Sequence, residues 1–145
     1  NKIRSLFPVP ADTRSAVYRP PGASDSMAVI VKRVSNPVSG NEGYRVLVER
    51  LWPRGISKEK AQIALWLKDA GASTDLRKWF SHDPEKWEVF RIKYFEEMEQ
   101  KPQVVHALRE ILKKHPDVSF LFSAHDEIHN NAVALKEFLE RNGTQ

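Results

Sequence analysis

The run Val118–Ser123 (VSFLFS) contains no charged side chain and reads as a strand buried on both sides. A strand of that kind needs covering layers above and below it, which is the arrangement of a mainly parallel sheet flanked by helices. The neighbouring segments supply such helices. Val104, Leu108, Ile111 and Leu112 form an apolar stripe at helical spacing before it, closed by Lys113, Lys114, His115 and Pro116. Ile128, Ala132, Leu135 and Leu139 form another after it, ending at Asn142-Gly143.

The rest of the chain fits the same alternation. Ala28–Val34 and Tyr44–Leu51 are rich in β-branched residues, with Pro37, Ser39, Gly40, Asn41 and Gly43 marking the loop between them. Ser57 caps a short helix, Ile63–Leu67 forms a short strand, and a small helix follows Ser73 or Thr74 and ends near His82. Asp83-Pro84 places an N-cap before a proline at the first helical position. Trp87, Phe90, Tyr94 and Met98 then recur at helical spacing until Pro102 interrupts. The expected fold is a single α/β domain, Rossmann-like, with a mainly parallel sheet of three or four strands and helices on both faces.

Composition narrows the function classes. The chain has 145 residues, 41% of them hydrophobic, enough for one domain with its own core. No uncharged apolar run approaches the roughly 20 residues that span a bilayer, so no membrane segment is expected. The absence of cysteine excludes disulfides, thiolate nucleophiles and Cys-bound metals, and a cytoplasmic setting is expected. Residues 1–26 hold four of the nine prolines and no periodicity, and they read as an N-terminal extension, a docking arm or an engineered leader before a domain over 27–145. Lys2, Arg4, Arg14 and Arg19 against Asp12 and Asp25 put half of the net charge of +4 in that extension. The domain itself thus has no strong nucleic-acid footprint.

In open parallel sheets, ligands sit beyond the carboxyl ends of the strands. Two segments place polar groups there. In Arg50-Leu51-Trp52-Pro53-Arg54-Gly55, strand alternation sets Arg50 at the end of the Tyr44, Val46, Val48 face, and Arg54 follows on a stiffened turn. Two such guanidiniums can hold a phosphate or carboxylate, unless Arg50 pairs with Glu49, Glu42 or a helix carboxylate. In His125-Asp126-Glu127-Ile128-His129-Asn130-Asn131, an N-cap at Asp126 would put His129, Asn130 and Asn131 in the first helical turn. A helix N-terminus favours an anion and a neutral imidazole, making His129 the candidate general base and Asp126, Asn130 and Asn131 candidate ligand-binding groups. Lys68 and Asp69 are further candidates at a third strand end. All should share one crevice, because parallel strands point their carboxyl ends the same way.

Competing readings are weaker. His125 and His129 are spaced i, i+4, but the run is not H-E-x-x-H, and no metal is assigned. Phosphate-loop, dinucleotide and serine-hydrolase signatures are absent, so no cofactor is assigned. Trp52, Trp66, Trp79 and Trp87 read as core rather than as a base-stacking surface. The expected partner is a small anionic ligand. The alternatives are a nucleic-acid-binding or regulatory module using Arg54, Lys58, Lys60 and the extension, or a partner-binding scaffold with the extension as its arm.

The runs YRVLVERLWPRGISKEKA, LWLKDAGASTDLRKWFSHDPEKW and FLFSAHDEIHNNAVALKEFL resemble, in order and spacing, the YeaO-like proteins, a group within a large family of unknown function. The likeness covers nearly all of residues 28–141 and leaves out residues 1–26. It implies a compact, Rossmann-like α/β domain with no established activity, cofactor or substrate. Broader relatives are similar but carry Cys at the end of the last strand and a Cys-His-Arg run after it. Here Phe122 and Ile128-His129-Asn130 stand in those places, and His125 stands where YeaO-like proteins tend to have Lys. The resemblance therefore implies no thiol chemistry for this chain.

Overall fold

A computed structural model describes residues 29–141. Four strands form one sheet: β1 (Val29–Arg33), β2 (Tyr44–Leu47), β3 (Leu65–Trp66) and β4 (Val118–Phe122). The spatial order is β1-β4-β2-β3, and every pair is parallel. β4 is the centre, with Val118 in register with both Val29 and Tyr44. All five of its residues are buried, as the uncharged run requires. Each large apolar side chain buried there contributes about 1.5–3 kcal/mol.

Side-chain alternation divides the core in two. Val118, Phe120 and Phe122 join Val46 and Val48 under the main helical layer. That layer comprises α2 (Thr74–Phe80), α3 (Trp87–Glu99), α4 (Pro102–Lys114) and α5 (Asn131–Arg141). Trp87, Phe90, Tyr94 and Met98 are all buried, the face that their spacing predicts. Leu121 and Leu47 point the other way, into a smaller cluster with Val34 and Ala61 that Trp52, Ile56, Ile63 and Trp66 cover. The one-turn helix α1 (Lys58–Ala61), capped by Ser57, lies on that side. Helices cover both faces, unequally.

The passage from β1 to β2 has no helix, as its loop residues predict, but several boundaries differ from expectation. Residues 34–43 return as a loop pinned by Glu42, which accepts hydrogen bonds from Ser39 (N–H at 2.7 Å) and Lys32 and pairs with Arg45. Strand β2 ends at Leu47, not Leu51, because the chain at Glu49 and Arg50 is drawn against the backbone of Gly71. Strand β3 keeps two of the five expected residues. Pro102 does more than interrupt, since it opens α4. The last helix begins at Asn131, so Ile128 lies outside its stripe and is 67% exposed. Trp79, expected in the core, is 40% exposed and lies under the Lys86 ammonium. The proposed extension and the stop at Asn142-Gly143 lie outside the described residues.

Candidate functional site

The carboxyl ends of β1, β4 and β2 open onto a cleft of about 500 Å³. Arg33 and Val34 line it after β1, Glu49 to Arg54 after β2, Ser123 and Ala124 after β4, and His129 to Asn131 at the start of α5. Arg77, Phe80 and His82 close it from α2 and the turn beyond. Arg50, Arg54 and His129 thus surround one space, although 75 residues separate the last two.

The three differ in how they are bound. Arg50 is half-buried and donates from Nε to the Ala72 carbonyl (3.0 Å) and from Nη2 to that of Gly71 (3.2 Å). No carboxylate saturates it: Asp69 lies 3.8 Å from Nη1, and Glu49 is not its partner. Arg50 is chiefly a tether between two loops. Arg54 is exposed at the cleft and has no hydrogen-bond or ion-pair partner among the described residues. His129 is held by Asp126, whose Oδ2 is 2.8 Å from Nδ1 and whose Oδ1 accepts the His129 backbone N–H at 2.9 Å.

Asp126 is not the N-cap of the helix. Its Oδ1 accepts the N–H groups of Ile128 and His129, closing a tight turn before α5. These bonds, the His129 backbone N–H first, then the ring and Ile128, hold the Asp126 carboxyl down to about 2. An ionised carboxylate only accepts, so His129 carries its proton on Nδ1, and Nε2 is the nitrogen with a lone pair when the ring is neutral. The ring also packs edge-on against Trp87, with centroids 5.3 Å apart.

The two asparagines are occupied within the protein. Asn130 is the cap that Asp126 was expected to be: its Oδ1 accepts the Val133 N–H at 3.0 Å, while Nδ2 donates to the Asp126 carbonyl. Asn131 accepts the Ala72 N–H (2.7 Å) and donates to the Val48 carbonyl (3.0 Å), tying α5 to the end of β2. Both position the cleft wall rather than offer spare amides. Lys68 and Asp69 are not brought to the cleft. Lys68 lies over the Trp66 ring, and Asp69 is exposed beyond Arg50. Lys58 and Lys60 are exposed on α1 and do not line the cleft either.

The family model for DUF488-N3i, described as the inactive DUF488-N3 subclade, matches residues 16–145. The chain belongs to that family. The match starts upstream of Met27 and so takes in part of the segment that the resemblance to YeaO-like proteins left out. The uncharacterized protein YeaO of Escherichia coli (strain K12) is 39% identical over 113 residues, covering 78% of this chain and 97% of that protein. The uncharacterized proteins Rv3073c of Mycobacterium tuberculosis (strain ATCC 25618 / H37Rv) and Mb3100c of Mycobacterium bovis (strain ATCC BAA-935 / AF2122/97) are each 41% identical over 70 residues. Those stretches cover 48% of this chain and 59% of each relative. No solved structure matches the chain.

In this member of the DUF488-N3i family, sequence reasoning missed several cleft residues. Arg33 ends β1 and was visible as a strand-end cation. Its Nε is buried without a partner among the described residues, and its Nη2 lies 3.4 Å from His125 Nδ1. Arg77 and His82 stand on a wet helix face and a turn, where nothing local marks them. Glu49 was in view only as a partner for Arg50. Instead its Oε1 accepts the Ser123 hydroxyl (2.8 Å) and N–H (3.1 Å). Burial pushes the Glu49 carboxyl up, against these bonds and the charges of His82 and Arg77.

Proposed function

We propose that the cleft binds a small molecule bearing a phosphate or carboxylate, and that binding rather than bond cleavage is its task. One observation carries the reading: among the described residues, Arg33, Arg50, Arg54 and Arg77 line the cleft against a single carboxylate, Glu49. Arg54 and Arg77 have no ion-pair or hydrogen-bond partner there, so their donors are open to an anion. Guanidiniums converging on a partly enclosed, apolar-walled space bind oxyanions with charge-assisted hydrogen bonds. His129, held by Asp126, adds a hydrogen-bonding ring nitrogen to the same wall. The description of the family as inactive favours this use of His129 over general-base catalysis.

Inorganic phosphate tests the reading directly. A ligand that binds only the folded state raises the melting temperature in proportion to the logarithm of its concentration once saturating. The wild type should show that saturable shift. Arg54→Ala and Arg77→Ala should each weaken the apparent affinity about tenfold, the effect of one lost charge-assisted bond. Lys68→Ala, outside the cleft, should leave it unchanged. A wild type that phosphate and simple carboxylates fail to stabilise would sink the proposal.

A further inference from the structure

Glu49 is the exception in a cationic cleft, and its position is fixed from several sides. Its carbonyl accepts a hydrogen bond from Trp66 Nε1 at 2.8 Å. The Gly71 backbone packs so closely that a Cβ there would lie 2.9 Å from the Glu49 carbonyl carbon. The side chain is held too, since both Ser123 donors converge on Oε1. Oε2 receives no hydrogen bond from a described residue. A carboxylate near four arginines gains most by closing onto one of them. Here Ser123 holds one of its oxygens, and no cleft arginine forms an ion pair with it among the described residues.

The cleft is also much larger than its anion site needs. Its volume of about 500 Å³ is several times what a phosphate fills, and Leu51, Trp52, Ile56 and Phe80 give it an apolar wall. A ligand that fills it has a body as well as an anionic head, and Glu49 lines the same cleft with one carboxylate oxygen unused. A simple anion would meet repulsion from Glu49. An anion that also carries a positive N–H donor would turn that repulsion into a hydrogen bond, while its own negative group offsets the arginines.

We propose that Glu49 makes the cleft selective for amphoteric ligands, small molecules with an ammonium group a few bonds from their phosphate or carboxylate. The inference rests on the anion-binding reading and adds the second recognition point. The raised position of the Glu49 carboxyl agrees with it, as that of an ionised form short of partners.

The test uses the full chain and matched probes: alkyl phosphates and aminoalkyl phosphates in which a terminal methyl is replaced by ammonium, at several chain lengths, with inorganic phosphate alongside. Calorimetry should show the aminoalkyl member of at least one pair binding about tenfold tighter, the gain from one charge-assisted bond. Glu49→Gln keeps an acceptor for Ser123 but removes the charge. It should reduce that preference to less than about threefold while binding inorganic phosphate as tightly as the wild type or more so. Phosphate binding with no ammonium preference at any length overturns the inference and leaves the anion reading standing. So does a preference that survives in Glu49→Gln. Failure of inorganic phosphate and of every probe to bind overturns the anion reading itself. The wild-type comparison needs no variant, so the outcome does not depend on Glu49→Gln folding.

Discussion

Arg45 and Arg54 stand on either side of the end of β2, yet their surroundings are opposite. Arg45 is 4% exposed, donates to the carbonyls of Ala61 and Gln62, and pairs with Glu42, itself 2% exposed. Burial pushes the Glu42 carboxyl up, but Lys32, Ser39 and Arg45 outweigh it and hold it below the usual carboxylate value. In that cluster Arg45 and Glu42 each find their partners inside the protein. In the cleft, Arg54, Arg77 and one Glu49 oxygen have no hydrogen-bond or ion-pair partner among the described residues. The difference teaches where to look for function. Charge satisfied internally holds the chain together, here replacing a crossover helix, whereas charge arrayed without partners in a concavity is available to a ligand.

The strongest test of this contrast is to remove one charge from each region. Glu42→Ala leaves Arg45 buried without its counter-ion and should cost about 3–5 kcal/mol. Arg54→Ala touches nothing that the fold uses and should stay within about 0.5 kcal/mol. Urea denaturation of both variants measures the gap. Equal losses would break the comparison, because Arg54 would then be as structural as Arg45.

The next test acts on the seam that shapes the cleft rim. Gly71 has an ordinary extended backbone, so its requirement is for space: a Cβ would lie 2.4 Å from the Arg50 nitrogen. Gly71→Ala must push the 49–50 segment away, at about 1–3 kcal/mol for the overpacking. It should also weaken phosphate binding, since Arg50 takes its hold from the carbonyls on either side of that contact. Destabilisation without any change in phosphate affinity would show that the rim and the anion site are independent.

How much of this was legible in the sequence follows from how local each signal is. The central strand was legible because Val118–Phe122 lacks charge, and burial on both faces leaves that mark on the residues themselves. The stripe of α3 was legible for the same reason. Asn130 and Asn131 were legible as unusual but not in their roles. Which residue caps α5 depends on bonds that Asn131 makes to Val48 and Ala72, far away in sequence. Glu49 shows the limit most clearly. Its partner Ser123 is 74 residues distant, and no local pattern sets that pairing. The loop between β1 and β2 was legible in its Pro, Ser, Asn and Gly residues, but the buried ionic cluster that supports it was not, because ordinary periodicity does not encode such pairing.

The smallest predicted effect concerns a titratable pair that joins the two kinds of region. Asp126 is satisfied internally, like Glu42, but what it holds in place is a cleft residue, His129. Asp126→Ala removes two backbone hydrogen bonds at a turn and should cost about 1 kcal/mol near neutral pH. The pH dependence identifies the cause. The carboxyl ionises at about 2 in the folded protein against a reference of 3.8, so the folded state binds its proton less readily than the unfolded chain. Its stabilisation is therefore complete above that reference value and is lost as pH falls toward 2. The stability difference between wild type and Asp126→Ala should close across that window. Denaturation midpoints at stepped pH measure this. A difference that persists unchanged to pH 2 would mean that the turn needs only the shape of Asp126, and that His129 is held by packing against Trp87 rather than by charge.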